Sequence, residues 1–286
     1  MADASTDIAW NLLLAARTAG DAAPSADLVA VDGFVLGRRP VRVIEGAGRL
    51  DDKGMELVEI LLDVALTPRG ERHVTAMLGQ SLDGFIATRG GQSRSLNCEA
   101  ALTYQHRVRA LADAVIVGAS TAALDDPRLT TRHVAGPNPV RVVIDPHGRL
   151  PASSQLLHDG AAPSLILRNG AGSCGGRLTD QAEIVHLDAE DGAFDPAAVL
   201  DCLAERGLTR VFVEGGGVTV GRFLAAGLID RLQLLVAPML LGAGRPAIHL
   251  PEAERLEDAL RPPSRRHLMG EDVLFDFSLR PAEEYP

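Results

Sequence analysis

The stretch VFVEGGGVTVG, residues 211–221, ends an apolar β-like run in one acid and three consecutive glycines before the apolar pattern resumes. Glycine allows a tight turn, and it also lets backbone N–H groups approach a phosphate at the start of a helix. The spacing is not the G-x-G-x-x-G of a dinucleotide-binding fingerprint. From these residues alone, a plain turn and a ligand-binding corner are equally good interpretations.

The same alternation of elements extends over the chain from residue 73 onward. Short apolar runs typical of buried strands occur at 73–79, 113–118, 139–145, 163–168, 183–188, 211–216, 231–238 and 272–280. Helical segments occur at 97–112, with Asn97 as the expected N-cap, at 195–207 and at 217–226. The pattern predicts an α/β fold with a mostly parallel central sheet, helices on both faces and an antiparallel C-terminal edge.

Residues 1–72 have a different character. Two amphipathic helices are expected at 7–20 and 56–66, with short β-like runs between them and a linker-like segment at 67–72. No pattern of reactive side chains occurs there. We therefore expect an N-terminal extension of unknown role over 1–72, packing against or stabilising a dimer, and the main domain over 73–286.

Composition excludes several classes of protein. The 286 residues carry a formal net charge of −10, which argues against nucleic acid or an anionic membrane as partner. The start of the chain lacks the pattern of a secretory signal, and no apolar run approaches the length of a membrane span. The three cysteines and eight histidines show no metal-ligand spacing, so no metal is expected. These features predict a cytoplasmic protein.

A second motif follows another predicted strand. The stretch IVGASTAALDDPRLTTR, residues 116–132, brings hydroxyls, acids and arginines together after the strand ends. The acids could simply cap and stop a helix, but the combination suits a phosphorylated polar ligand better. Because ligands bind beyond the carboxyl ends of parallel strands, we expect 118–121 and 214–217 to line one cleft.

Six stretches in order, SLDGFIAT (81–88), GQSRS (91–95), VRALADAVIVGASTAALDDPRLTTR (108–132), NPVRVVIDPHGRLP (138–151), VFVEGGG (211–217) and LIDRLQLLVAPMLLGAG (228–244), carry a family resemblance. Together they resemble the reductase domain of bacterial riboflavin biosynthesis, whose fold is like that of dihydrofolate reductase. The resemblance covers roughly residues 73–280. It implies NADPH-dependent reduction of a ribosylamino-pyrimidinone 5′-phosphate to its ribitylamino product, with hydride delivered to C1′.

The resemblance also implies roles for individual residues. Matched substrate positions are Ser93, Arg109, Leu129, Arg132 and Glu214, with Arg132 near the phosphate. Matched NADPH positions are Gly79, Ser95, Thr121, Asp125, Gly215, Gly216, Gly217, Val218 and Thr219. No catalytic side chain is assigned, although Asp83 and water are candidate proton donors. Arg168 is a weak candidate for the 2′-phosphate of NADPH.

Departures from the family pattern keep alternatives open. The H-x-E and P-C-x-x-C motifs of the zinc deaminase domain are absent, so we do not expect deamination. Ser95 stands where some members have Trp, and Pro146 stands where some have Ser. A reductase of another heteroaromatic or imine substrate and a non-catalytic dinucleotide-binding protein are the alternatives. The family also implies a homodimer formed through edge strands, and the apolar stretch 231–244 is either such an edge or a buried strand.

Overall fold

A computed structural model of the protein describes residues 4–38, 41–170 and 176–280. The chain divides into two compact units. Within the described residues, one comprises residues 4–38, 41–73 and 280, and the other comprises residues 74–170 and 176–279. In the described part of the chain, no helix is long and apolar enough to cross a membrane.

The helices are α1 (Ala4–Ala22), α2 (Asp52–Leu66), α3 (Glu99–Leu111), α4 (Ala119–Asp125), α5 (Pro196–Ala204) and α6 (Gly217–Ala225). The strands are β1 (Leu28–Val31), β2 (Phe34–Arg38), β3 (Val41–Glu45), β4 (His73–Ser81), β5 (Phe85–Thr88), β6 (Ala114–Gly118), β7 (Val140–Ile144), β8 (Ser164–Asn169), β9 (Ala182–Leu187), β10 (Arg210–Gly215), β11 (Arg231–Ala237), β12 (Gly244–Pro246), β13 (Ser264–Met269) and β14 (Asp272–Ser278).

The N-terminal unit is a helix pair and a small sheet. The helices α1 and α2 pack together through buried apolar side chains, and β1, β2 and β3 form an antiparallel sheet. The guanidinium of Arg38 donates hydrogen bonds to the carbonyls of Gly20 and Leu66, at 2.9 and 3.0 Å, near the ends of the two helices. It thereby satisfies carbonyls that have no partner within a helix. Both predicted helices are confirmed, and each extends beyond its predicted bounds.

The second unit is built on a nine-stranded sheet of order β13-β14-β11-β4-β10-β6-β7-β8-β9. Strand β4 pairs parallel with β11, and β10, β6, β7, β8 and β9 pair parallel in succession. Strand β14 pairs antiparallel with both β11 and β13. The predicted α/β fold, with its mostly parallel sheet and antiparallel C-terminal edge, is confirmed.

Alternation along β10 shows what each face of the sheet packs against. Val211 and Val213 belong to the main core cluster, which also contains side chains of α5 and α6 such as Leu203 and Phe223. The next residue, Glu214, points to the opposite face and is bonded by an arginine of α3. The last side chain of the strand, that of Glu214, therefore lies on the face of the sheet against which α3 packs.

Three features differ from the sequence-based expectations. Asn97 does not cap α3, because the N-cap is Cys98, while the Asn97 amide donates to the Asp272 carboxylate at 2.9 Å. The strands β5, β12 and β13 were not predicted. Within the stretch 231–244, residues 231–237 form β11, which lies between β4 and β14 and is not an edge, so the buried interpretation is correct for these residues, whereas Met239 and Leu240 are exposed.

Candidate active site

A cleft of about 590 Å³ opens beyond the carboxyl ends of β4, β6 and β10. Residues that the sequence assigned to a site and that line this cleft are Gly79, Ser93, Ser95, Arg109, Thr121, Asp125, Leu129, Arg132, Glu214, Gly215 and Gly216. The two motifs at 121–125 and 214–216 therefore share one cavity. Strand order explains this, because β6 and β10 are parallel neighbours whose carboxyl ends lie side by side.

The glycine corner is bound directly to the second motif. The Gly216 amide donates to the Thr121 hydroxyl at 3.1 Å, and the Gly215–Gly216 peptide bond is cis. Gly215 has φ +133°, a conformation that other residues rarely adopt. A Cβ on Gly217 would lie 1.8 Å from the Ala247 carbonyl oxygen. The turn therefore needs its glycines for local reasons, and it also forms one wall of the cleft.

Four of the assigned residues lie outside the cleft lining. Gly217 and Thr219 belong to the first turn of α6, where the Thr219 hydroxyl approaches Gly118, and the side chain of Val218 is 54% exposed. Asp83 occupies the turn after β4, where it accepts hydrogen bonds from the Ser81 hydroxyl at 2.5 Å and the Gly242 amide at 2.7 Å. The hydrogen bond from Ser81 is the main cause that holds the pKa of Asp83 below its usual value, and the backbone amides add to it. The carboxylate therefore stays ionised.

The pKa of one acid that lines the cleft is shifted upward instead. Burial raises the pKa of Asp125, against the smaller opposing effects of the Ser93 hydroxyl and of Arg94 and Arg245. The Ser93 hydroxyl donates to Asp125 at 3.2 Å. Asp125 is thus a half-buried carboxyl group with one donor, set between two arginines.

An ion pair forms the floor of the cleft. Arg109 of α3 holds Glu214 through two hydrogen bonds, from Nε at 2.6 Å and from Nη2. The exposed fractions of the two side chains are 7% and 9%. Arg109 also donates from Nη1 to the Thr130 carbonyl at 3.0 Å. Its charge is therefore matched within the protein.

Two further arginines have only neutral partners. Arg132 donates to the Thr130 hydroxyl at 2.9 Å, and Arg128 donates to the Gln155 side-chain carbonyl at 3.2 Å. Within the described residues, neither guanidinium has a carboxylate within 4.0 Å. Burial, followed by the charges of Arg109 and Arg128, lowers the pKa of Arg132. An anion in the cleft would relieve this repulsion.

Sequence reasoning missed several residues that line the cleft, including Arg94, Asn97, Gln155 and Arg245. They come from loops, from a 3₁₀ turn at Gln155–Leu157 or from the short strand β12, and none of these segments carries a periodic signal. The guanidinium of Arg245 packs close to Gly91, so that a Cβ on Gly91 would lie 3.2 Å from it. Arg168, the candidate for a 2′-phosphate, does not line the cleft and lies 3.9 Å from the Asp145 carboxylate.

No group of three or more His, Cys, Asp or Glu side chains suited to a metal ion occurs among the residues that the structure describes. The lining of the cleft supplies arginines, hydroxyls and backbone amides beside its carboxylates. Such groups bind anions and orient ligands.

Known proteins match the same part of the chain. The family model of the RibD C-terminal domain matches residues 72–262. The 2,5-diamino-6-ribosylamino-4(3H)-pyrimidinone 5′-phosphate reductase of Methanothermobacter thermautotrophicus is 34% identical over 217 residues, which are 73% of this chain and 98% of that protein. The riboflavin biosynthesis protein RibD of Bacillus amyloliquefaciens is 34% identical over 243 residues, 78% of this chain and 65% of that protein.

Solved structures agree in fold. RibD of Acinetobacter baumannii is 26% identical with a TM-score of 0.61, over 79% of this chain and 63% of that one. The riboflavin biosynthesis reductase Rib7 of yeast, Saccharomyces cerevisiae, is 19% identical with a TM-score of 0.56, over 73% of this chain and 90% of that one. The chain thus spans less than two thirds of each RibD protein and nearly all of the separate reductases. With its sheet order, its cleft and these matches taken together, the chain belongs to the RibD C-terminal domain family.

Proposed function

We propose that this chain is an NADPH-dependent reductase that converts a ribosylamino-pyrimidinone 5′-phosphate to its ribitylamino product. The Methanothermobacter thermautotrophicus relative, which the chain matches over 98% of that protein's length, is named for this substrate class. The observation that carries the proposal is the cleft itself, in which a glycine corner faces the same cavity as Arg128 and Arg132, two arginines with no carboxylate within 4.0 Å among the described residues.

The cleft fits a dinucleotide on one side. The backbone of Gly215 and Gly216 lies bare at its wall, and Gly79 leaves no room for a side chain, because a Cβ there would lie 1.8 Å from Asn97 Oδ1. Thr121 and Asp125 add polar groups, and Arg94 and Arg245 add positive charge. When bound there, the reduced nicotinamide supplies the hydride for C1′ of the ring-opened substrate.

The other side of the cleft suits the phosphate of the substrate. Arg132 and Arg128 carry charge that no described carboxylate within 4.0 Å neutralises, whereas Arg109 is held by Glu214. A phosphate with two or three acceptor oxygens matches guanidinium donors well. Ser93 and the Arg109–Glu214 pair would then orient the ribose and base, so that the reacting carbon is held near the cofactor.

The test is to follow the absorbance of the reduced nicotinamide while the purified protein is mixed with NADPH and the phosphorylated pathway intermediate. We expect oxidation of one NADPH per ribityl product, and the dephosphorylated intermediate should react far less efficiently. If the protein binds NADPH but turns over another imine or heteroaromatic compound instead of this intermediate, the proposed substrate is wrong and that compound class takes its place. Binding without turnover on any compound of such a panel would leave a dinucleotide-binding protein.

The preference for NADPH over NADH, a homodimer and a cytoplasmic location belong to the same proposal. Arg94 and Arg245 supply cations at the proposed cofactor wall, and the net charge of −10 suits a protein free in solution. Residues 1–72 would be an extension that stabilises the protein without entering the chemistry. Dissociation constants for the two dinucleotides, light scattering for the mass in solution, and unfolding of a variant truncated to 73–286 test these points separately.

A further inference from the structure

A buried histidine connects the two arginine positions of the cleft. His106 lies on α3, three residues before Arg109, and its side chain is 3% exposed. Its Nδ1 accepts a hydrogen bond from the backbone amide of Arg132 at 2.9 Å. On the other side of the ring, Nε2 lies 3.4 Å from Nη1 of Arg109. His106 is thus in contact with both arginines without reaching the cleft.

The hydrogen bond to Arg132 fixes the protonation of the ring. A backbone amide can only donate, so Nδ1 must present its lone pair, and the proton of the neutral imidazole resides on Nε2. The approach of Nε2 to Arg109 is consequently a packing contact rather than a hydrogen bond. Burial, together with Arg109, Arg132 and His133, lowers the pKa of His106 to about 3. The ring therefore remains a neutral acceptor over the physiological range.

The loop that carries Arg132 is attached to α3 at two points. Arg109 Nη1 binds the Thr130 carbonyl at 3.0 Å, and His106 binds the Arg132 amide. The guanidinium of Arg132 is then directed by the Thr130 hydroxyl at 2.9 Å. His133 covers the outer side of His106, with ring centroids 4.5 Å apart. Removal of the His106 acceptor would leave the Arg132 amide without its partner, and Thr130 would be the remaining hydrogen-bonded attachment of the loop to α3.

We propose that His106 is a positioning residue, which sets the place of the Arg132 guanidinium, and hence phosphate affinity, by holding the backbone amide of Arg132. The inference rests on the proposed function in that Arg132 is taken as the phosphate ligand. It goes beyond that function because His106 itself touches neither substrate nor cofactor.

Two polar substitutions separate positioning from mere packing. In His106→Asn, Oδ1 takes the place of Nδ1 and can accept the same hydrogen bond. In His106→Gln, the amide lies one bond further out, near the position of Nε2, and does not reach the Arg132 amide. Both side chains are neutral and tolerated in helices, so they differ chiefly in this one contact.

Binding of ribose 5-phosphate, measured by calorimetry on the full chain, gives a readout that does not depend on turnover. We expect the Asn variant to bind within about twofold of the wild type and the Gln variant about tenfold more weakly, as for one lost hydrogen bond. Affinity for NADPH should be unchanged in both variants. In the reductase assay, the Gln variant should show a raised KM for the phosphorylated substrate with kcat retained.

Equal affinity for ribose 5-phosphate in the Asn and Gln variants, whether retained or weakened, would overturn the role of His106. A wild-type protein that binds NADPH but not ribose 5-phosphate would overturn the phosphate site and the role of His106 with it. A wild type that binds ribose 5-phosphate without turning over the intermediate would remove only the proposed substrate, and the comparison of variants would still decide the role of His106. Thermal unfolding of each variant verifies that both are folded.

Discussion

Arg109 and Arg132 line the same cleft, but the charge of Arg109 is paired with a carboxylate whereas the partner of Arg132 is a neutral hydroxyl. Arg109 is 6% exposed and is bound through two hydrogen bonds to Glu214. Arg132 is exposed at the cleft wall, and its guanidinium is bound by the hydroxyl of Thr130. The buried pair carries no net charge, whereas the exposed arginine keeps its full charge for a ligand.

The difference follows from where the two residues come from. Arg109 extends from α3 across the face of the sheet to the end of β10, where Glu214 is the last side chain on that face. A charge removed from water at that place needs a counter-charge to be tolerated. Arg132 lies on a loop at the rim, where its side chain is exposed to water on one side and partly desolvated by the cleft on the other. We therefore expect the first arginine to support the architecture of the cleft, and we propose that the second supplies its affinity for anions.

The largest effect is expected from Glu214→Gln, which removes the charge that matches Arg109. A buried guanidinium without its counter-charge should lower the free energy of unfolding by about 3 kcal/mol, measured by urea denaturation. The control is Asp258→Asn, in an ion pair with Arg255 whose side chains are 44% and 68% exposed, where the loss should be below about 1 kcal/mol. Similar losses in the two variants would contradict the distinction between the two arginines.

Arg132→Ala should act on binding instead of stability. Loss of a charge-assisted contact with the phosphate is worth about 1.5–3 kcal/mol, so KM for a phosphorylated substrate should rise about 10- to 150-fold. Affinity for NADPH should stay within about twofold. Arg266→Ala, an exposed arginine on the outer strand β13, is the matched control and should leave KM unchanged. A comparable loss for both ligands would show that Arg132 does not bind the phosphate.

His106 sharpens the comparison because it lies between the two arginines and must add no charge. Its pKa is lowered to about 3 in the folded protein, below its ordinary value of 6.5. Between these two pH values, His106 binds a proton in the unfolded chain but not in the folded protein. The contribution of the neutral ring to the free energy of unfolding is therefore fully present above pH 6.5 and is lost as the pH falls. By pH 5 this amounts to about 2 kcal/mol. The free energy of unfolding of the wild type should approach that of His106→Asn by this amount between pH 7.5 and pH 5.

Other titrating groups affect the wild type and His106→Asn equally, so the difference between their unfolding free energies isolates the histidine. A difference that does not change with pH would mean that His106 is free to take up a proton in the folded state. The conclusion that His106 is a neutral ring between Arg109 and Arg132 would then be wrong.

Much of the sheet could be predicted from the sequence because its strands are buried on both faces. Runs such as AVIVG in β6 are apolar throughout, which is typical of parallel strands between layers of helix. Strand β13 could not be found in this way. Five of its six residues are not buried, and its place is fixed by pairing with β14, which no local pattern encodes.

The same contrast holds for the cleft. The glycine corner and Thr121 could be predicted because both follow strands whose carboxyl ends must meet at one rim. Arg245 could not, since it reaches the cleft through β12, a three-residue strand paired with β5. His106 did leave a signal that was overlooked, because a spacing of three residues puts it on the same face of α3 as Arg109.

The smallest effect is expected from Arg128→Ala. Arg128 is exposed, and within the described residues its guanidinium makes one hydrogen bond, to Gln155, so solvent and salt screen its charge more than that of Arg132. KM for the phosphorylated substrate should rise only about two- to fivefold at low salt, and the effect should fade near 0.5 M salt, where the screening length is about 4 Å. If Arg128→Ala instead matched Arg132→Ala at all salt concentrations, the two arginines would bind the phosphate as equal partners. The backbone contact of Arg132 with His106 would then give that arginine no advantage.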